Sequence, residues 1–227
     1  MRNIYVVTHA ESIHHIEKKV GGWYDTSLTE HGKTQAERTA IYLRSAINSR
    51  NVNAFSSDLK RASETAEIIC KHLKTRVTLD KRLREMSYGE AEGKPQSWFK
   101  DRIRPQPTDG NKLDHRVYEG AESRRELAKR ITDSLNEILL KDSLNTIIVT
   151  HGFASTFLIM AWMKIPIENM GYCNLPARPC CVSLLYEDDL FSNRAVAYLC
   201  STNHLKIDAN ANKYMGNKIL IYSITIG

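Results

Sequence analysis

Short β-branched runs alternate with amphipathic segments of helical period from the first residues onward, and this alternation is the strongest constraint on how the chain folds. Residues 3–8 read as a buried strand. Residues 9–26 show neither period and contain Gly21-Gly22, which predicts a loop, with the His14-His15 pair in solvent. Ser27-Leu28-Thr29-Glu30 has the spacing of a capping box. The helix behind it runs to about Ile47, with Ala36, Ala40, Leu43 and Ile47 on one face. Residues 52–55 read as a second strand, and Ser56-Ser57-Asp58 can cap a helix reaching about Leu73. Residues 77–79 form a third strand. The stretch 80–120 reads mostly as loop, with one short helix near 96–103, because Pro95, Pro105 and Pro107 oppose long regular structure. Leu127, Ile131, Leu135 and Ile138 mark a helix over 122–140. Residues 146–150 are a buried strand, 153–163 a helix, and 182–186 and 195–199 later strands. This order predicts an α/β sandwich with a mostly parallel central sheet, built as a single domain.

Composition narrows the function classes. The chain has 227 residues, 42% hydrophobic and 26% charged, which is ordinary for a globular protein. The net charge of +6 admits an anionic partner, but the basic residues are scattered among acids, so no nucleic-acid partner is expected. Five cysteines without a CxxC spacing indicate neither a zinc site nor a disulfide framework, and reduced thiols point to a cytoplasmic protein. The first apolar run is too short for a signal peptide, and no run approaches the length of a membrane span, so no membrane association is expected.

In parallel sheets ligands bind beyond the carboxyl ends of the strands. Two predicted strands end alike there, in Val7-Thr8-His9-Ala10 and Val149-Thr150-His151-Gly152, and a third ends in Ser56-Ser57-Asp58-Leu59-Lys60-Arg61 at the mouth of a helix. Two imidazoles, a guanidinium and a helix amino terminus together have the chemistry of a phosphate site.

These segments resemble a known family. Thr8-His9-Ala10-Glu11-Ser12 is similar to the Arg-His-Gly/Ala-Glu signature of the histidine phosphatase superfamily, the phosphoglycerate mutase-like proteins. Ser57 to Ala62 with Thr65-Ala66 resembles its second motif, and Leu83-Arg84-Glu85 with Gly89 and Glu92-Gly93 resembles the motif of its catalytic acid. Gly120-Ala121-Glu122-Ser123 and Val149-Thr150-His151-Gly152 complete five motifs in order across residues 1–205, leaving 206–227 as a C-terminal extension. The resemblance implies a three-layer α/β/α sandwich. It also implies that His9 is a nucleophile forming a phosphohistidine and that His151 and Arg61 donate to the phosphoryl oxygens. Glu85 is implied as the acid that protonates the leaving oxygen and then activates water. Thr8, Ser12, Ser57, His15, Trp23 and Gly152 are the expected phosphate- or substrate-binding residues. No metal or cofactor is implied.

One departure stands out. The family carries an arginine where this chain has Thr8, and a hydroxyl does not replace a guanidinium. Losing one such donor typically costs on the order of a hundred- to a thousandfold in rate, unless another cation fills the gap. His14, His15 and Lys18 are nearest in sequence. Tyr88-Gly89-Glu90-Ala91-Glu92-Gly93 resembles the broad-specificity phosphatases, whereas His15 and Lys18 stand where the mutases carry asparagines. The reading is therefore a phosphatase for a small phosphorylated substrate, with a phosphoglycerate mutase or a non-catalytic phospholigand-binding protein as alternatives. The apolar run 219–226 reads as an added edge strand or a self-association surface that would make a homodimer.

Overall fold

The computed structural model of the chain describes residues 1–47, 49, 51–108 and 112–206. Strands β1 (Arg2–Thr8), β2 (Val52–Ser56), β3 (Val77–Leu79), β4 (Asn145–Thr150), β5 (Val182–Glu187) and β6 (Arg194–Ser201) form one six-stranded sheet in the order β3-β2-β4-β1-β5-β6. The first four run parallel, and β5 is antiparallel to both β1 and β6. The helices are α1 (Ile13–Ile16), α2 (Glu30–Ala46), α3 (Lys60–Leu73), α4 (Gln96–Lys100), α5 (Arg124–Leu139) and α6 (Gly152–Trp162).

Alternation along the central strands explains the layering. Tyr5, Val7, Ile147 and Val149 face Ala40 and Leu43 of α2 and Ala62, Ala66 and Ile69 of α3. Ile4, Val6 and Ile148 face the opposite way, onto Leu127, Ile131 and Leu135 of α5 and Phe157, Leu158 and Trp162 of α6. Successive strand residues point to opposite faces, so a strand covered on both sides must be apolar throughout. Each fully buried large apolar side chain contributes roughly 1.5–3 kcal/mol. The result is a three-layer α/β/α sandwich with a mostly parallel sheet. Among the described residues, no helix is long and apolar enough to cross a membrane.

The structure departs from the expected pattern at element ends. The segment expected to be a loop holds the single-turn helix α1, too short to show a period, and it buries His14 rather than leaving it in solvent. Thr29, not Ser27, caps α2, accepting from the Gly32 amide at 2.9 Å. Asp58 does not cap α3; it pairs with Arg84 at 2.7 Å, while Asp25 takes the Lys60 amide from across the chain at 2.7 Å. Ser123 caps α5, with Glu126 reaching back to its amide at 2.8 Å. The apolar run 219–226 lies outside the described residues.

Gly32 sits in the first turn of α2 under the loop that carries Glu11, and a Cβ there would run into the Glu11 carbonyl oxygen. Glycine to alanine in a helix usually stabilises by about 0.8–1 kcal/mol. Here the sign should invert: Gly32→Ala is expected to lower Tm by roughly 3 °C or more, as followed by circular dichroism. A rise in Tm would show that the Glu11 loop yields freely.

Candidate active site

The register of the parallel strands brings the polar strand ends together. Thr8 of β1 lies opposite Thr150 of β4, and Ser56 of β2 opposite Val149. The ladder runs on past the strand ends: the His9 amide donates to the Thr150 carbonyl at 2.9 Å and the Ser57 amide to the Val149 carbonyl at 3.0 Å. His9 and His151 therefore leave the sheet side by side, with ring centroids 5.0 Å apart.

The partners of His9 define its tautomer. Nδ1 lies 2.7 Å from the Ala10 carbonyl oxygen, which can only accept, so Nδ1 carries the proton. Nε2 accepts from Arg61 Nε at 3.2 Å, which leaves the ring lone pair on Nε2. Burial, followed by the Arg61 charge and then His15, holds the His9 pKa well below the ordinary imidazole value; the Ala10 bond opposes this, and His14 adds a smaller lowering effect. Arg61 is 1% exposed, donating Nη1 to the Tyr24 carbonyl at 2.9 Å and Nη2 to the Gly22 carbonyl at 2.6 Å. Gly22 presents that carbonyl from a left-handed backbone (φ +55°), where a Cβ would also meet the Glu92 carboxylate at 2.8 Å. Burial lowers the Arg61 pKa to about 10, with Glu85, Asp25 and Glu92 opposing, so the guanidinium stays charged at neutral pH.

His151 is fully buried. Its Nε2 lies 2.8 Å from the Ser57 hydroxyl, while Nδ1 has no partner among the described residues. Ser57 Oγ already accepts from the Leu59 amide at 3.3 Å and meets no other acceptor among the described residues, so its hydroxyl donates to Nε2. That assigns the His151 proton to Nδ1, the nitrogen left unpaired. Burial and then Arg61 keep this ring neutral as well.

Two more histidines stand behind His9. His15 stacks on it at 5.4 Å and 12° and is exposed at the mouth of the site. The Ser12 amide donates to His15 Nδ1 at 3.2 Å, so neutral His15 carries its proton on Nε2. His14 is buried below, its Nδ1 bonded to the Ser12 hydroxyl at 2.9 Å and the Thr26 hydroxyl at 3.2 Å. Burial, then His15 and Arg61, lowers the His14 pKa to about 3. Lys18 is exposed and does not line the cavity described below.

Glu85 occupies the amino terminus of α6. Its carboxylate accepts from the amides of Phe153 at 3.0 Å, Ala154 at 2.9 Å and Met86 at 2.9 Å. Helix amino termini favour anions through free amides and the macrodipole. The Glu85 carbonyl is held in turn by Trp23 Nε1 at 2.7 Å and Arg130 Nη2 at 2.8 Å. Arg130 also bonds the carbonyls of Arg82 and Arg84 at 2.7 Å and pairs with Glu122. Sequence reasoning missed Arg130. The usable signal was its spacing of two helical turns from Glu122 on a helix whose apolar face is otherwise complete.

A cavity of about 90 Å³ opens at these strand ends, lined by Thr8, His9, His15, Gly152 and residues 177–179. The structure brings these expected residues to the cavity; Arg61, Glu85 and His151 are not among its lining, and neither are Ser12, Ser57 and Trp23. The last three hold His14, His151 and the Glu85 backbone, respectively. Thr8 is a second correction. Its hydroxyl donates to the Arg178 carbonyl and accepts from the Cys181 amide at 3.1 Å, so its one proton is not free for a ligand. Among the described residues, no group of His, Cys, Asp and Glu is arranged to hold a metal ion.

The profile of the histidine phosphatase superfamily (branch 1) matches residues 4–197. "Probable phosphoglycerate mutase GpmB" of Proteus mirabilis (strain HI4320) is 32% identical over 175 residues, which are 73% of this chain and 77% of that protein. Fructose-2,6-bisphosphatase of Saccharomyces cerevisiae is 29% identical over 177 residues, 76% of this chain but 37% of the yeast protein. In fold, the chain is similar to a mycobacterial glucosyl-3-phosphoglycerate phosphatase solved with VO3, with a TM-score of 0.73 at 24% identity over 89% of this chain and 100% of the other.

The buried neutral histidines make stability depend on pH. Between pH 6.5 and 5 the unfolded chain protonates imidazoles that the native site keeps neutral, so unfolding takes up protons and stability falls with acid. This contribution is fully present above about pH 6.5 and, for His14, is lost progressively toward about pH 3. His14→Gln should reduce the proton uptake on unfolding by about one at pH 5.5, read from the pH dependence of urea denaturation. An unchanged slope would mean that His14 titrates alike in both states.

Proposed function

The chain belongs to the histidine phosphatase superfamily, and we propose that within it this protein is a phosphomonoesterase acting on a small phosphorylated substrate through a phosphohistidine at His9. The observation that carries the reading is the state of His9: a neutral ring with its lone pair on Nε2, beside a charged arginine and at a cavity of phosphoryl size.

In the first step Nε2 attacks phosphorus in line, the N–P bond forms and the P–O bond to the leaving group breaks. Glu85 enters this step protonated and gives that proton to the leaving oxygen. In the second step a water gives a proton to Glu85 and attacks the phosphohistidine, and Nε2 departs as a neutral imidazole. Nδ1–H keeps its bond to the Ala10 carbonyl throughout, which supports positive charge on the phosphorylated ring. Arg61 supplies charge beside Nε2, where negative charge gathers, and the unpaired Nδ1–H of His151 is the further donor this reading calls on. His15 offers its Nε2 proton from the mouth, and the Gly152 side of the cavity lies near the Glu85 carboxylate.

A mutase is the second reading, favoured by the 32% identity to a protein of that name. The two part at the fate of the phosphoryl group: water receives it in one case, a second hydroxyl of the substrate in the other. Release of inorganic phosphate from a phosphomonoester supports the phosphatase, and interconversion of phosphoglycerates without release supports the mutase. Neither reaction would leave a phospholigand-binding protein.

His9→Ala is expected to abolish turnover of a chromogenic phosphomonoester with Tm essentially unchanged. Native protein quenched in mild alkali should carry phosphate on His9 by mass spectrometry. Phosphate on another residue, or a fully active His9→Ala protein, contradicts the assignment.

Glu85→Gln should slow hydrolysis of an alkyl phosphate by roughly a hundredfold or more, and that of a nitrophenyl phosphate far less, because a general acid matters most when the departing oxygen is basic. Steady-state rates on the two substrates decide it. Equal losses would assign Glu85 to holding α6 rather than to proton transfer.

A further inference from the structure

We propose that Arg178 supplies to the phosphoryl group the guanidinium that position 8 lacks, and that Thr8 is the residue that holds Arg178 over the cavity; this rests on the phosphoryl-transfer reading above. Position 8 sits immediately before His9, and a cation is missing there. The structure fills that space with backbone from the segment leading into β5. The Thr8 hydroxyl donates to the carbonyl of Arg178 itself, and the Cys181 amide donates to Thr8 Oγ1 at 3.1 Å and to the Arg178 carbonyl at 3.0 Å. The Thr8 amide reaches the Cys181 carbonyl at 3.1 Å, and the Cys180 amide reaches the His9 carbonyl at 3.1 Å. The peptide that carries Arg178 is thus stitched to both residues at the end of β1. Pro176 and Pro179 flank it, which restricts the backbone further.

Arg178 lines the same cavity as His9 and His15. It differs from the other arginines near the site in being uncommitted. Arg61 is bonded to two backbone carbonyls, Arg84 is paired with Asp58, and Arg130 with Glu122. The Arg178 side chain has no hydrogen bond or ion pair among the described residues, and the residue is exposed. Meeting a phosphoryl oxygen takes rotation about its own side-chain bonds, from a residue that already lines the cavity. Its backbone anchor does not have to move. A free, planar, always-charged fork beside an imidazole nucleophile suits bidentate recognition of phosphate. Of the three cations nearest in sequence, His14 and His15 are held neutral and Lys18 lies outside the cavity.

The test uses the full chain in four variants: Arg178→Ala, Arg178→Lys, Thr8→Val and Thr8→Val with Arg178→Ala. Arg44→Ala, an exposed arginine of α2, controls for net charge. Turnover of nitrophenyl phosphate and binding of orthovanadate by calorimetry are both measured. Arg178→Ala should lose roughly a hundredfold or more in kcat/KM and weaken vanadate binding, with Tm unchanged. Arg178→Lys should recover part of the loss, and Arg44→Ala should match the native protein. Thr8→Val keeps the volume and removes the tether, and should lose roughly three- to tenfold, the equivalent of one hydrogen bond. It should lose nothing further in the Arg178→Ala background, because Thr8 acts through Arg178. An Arg178→Ala protein within twofold of native in both measurements overturns the proposal, and additive losses overturn the role of Thr8. Should the native protein bind vanadate without turning over substrate, the phosphatase reading fails while the vanadate comparison still decides the role of Arg178. Should it bind no vanadate, both readings fail.

Discussion

The hydrogen bond from the His9 amide to the Thr150 carbonyl, 2.9 Å long, extends the β1–β4 ladder one residue past the end of β1. The rest of the site depends on it. Parallel register leaves no freedom in which residues exit the sheet together, so with Thr8 opposite Thr150 the next residues, His9 and His151, must stand side by side. A slip of one residue would turn every core side chain of β1 to the wrong face. The two apolar clusters on either side of the sheet therefore hold the register, and the register sets the geometry of the site.

Burial then decides the charge states. Four histidines gather around one buried arginine, and the low-dielectric surroundings favour a single resident cation, Arg61. Each imidazole is held neutral by desolvation first, with Arg61 adding to the effect. A neutral ring with an oriented lone pair suits a nucleophile, and neutral rings with oriented protons suit donors, so one physical cause meets the requirements of both proposed roles. The segment bearing Arg178 reaches the cavity on the β1 side.

The carboxylate side is built differently. Glu85 is fixed by amides of α6 and by a backbone clamp in which Arg130 joins the carbonyls of Arg82, Arg84 and Glu85 to Glu122. An ion pair of this half-buried kind contributes little net stability, yet removing one partner leaves the other charge without compensation. That asymmetry makes Arg130 a device for position rather than for overall stability.

The sequence by itself determined the layered α/β architecture, because strand and helix periods are local properties of the chain and β1, β4, α5 and α6 carry them without interruption. It also placed His9, His151, Arg61 and Glu85 in motifs that resemble those of the superfamily whose profile matches residues 4–197. It did not reveal that Ser12, Ser57 and Trp23 would serve neighbouring side chains and backbone rather than the cavity, that His14 would be buried, or that Thr8 would be occupied by the Arg178 peptide. Those outcomes depend on which donor meets which acceptor across separations of up to 170 residues. Pattern reading reports the period of a segment and the chemistry of a residue; the partner that claims a hydroxyl's single proton is decided only when the packed sheet brings distant segments within hydrogen-bonding distance.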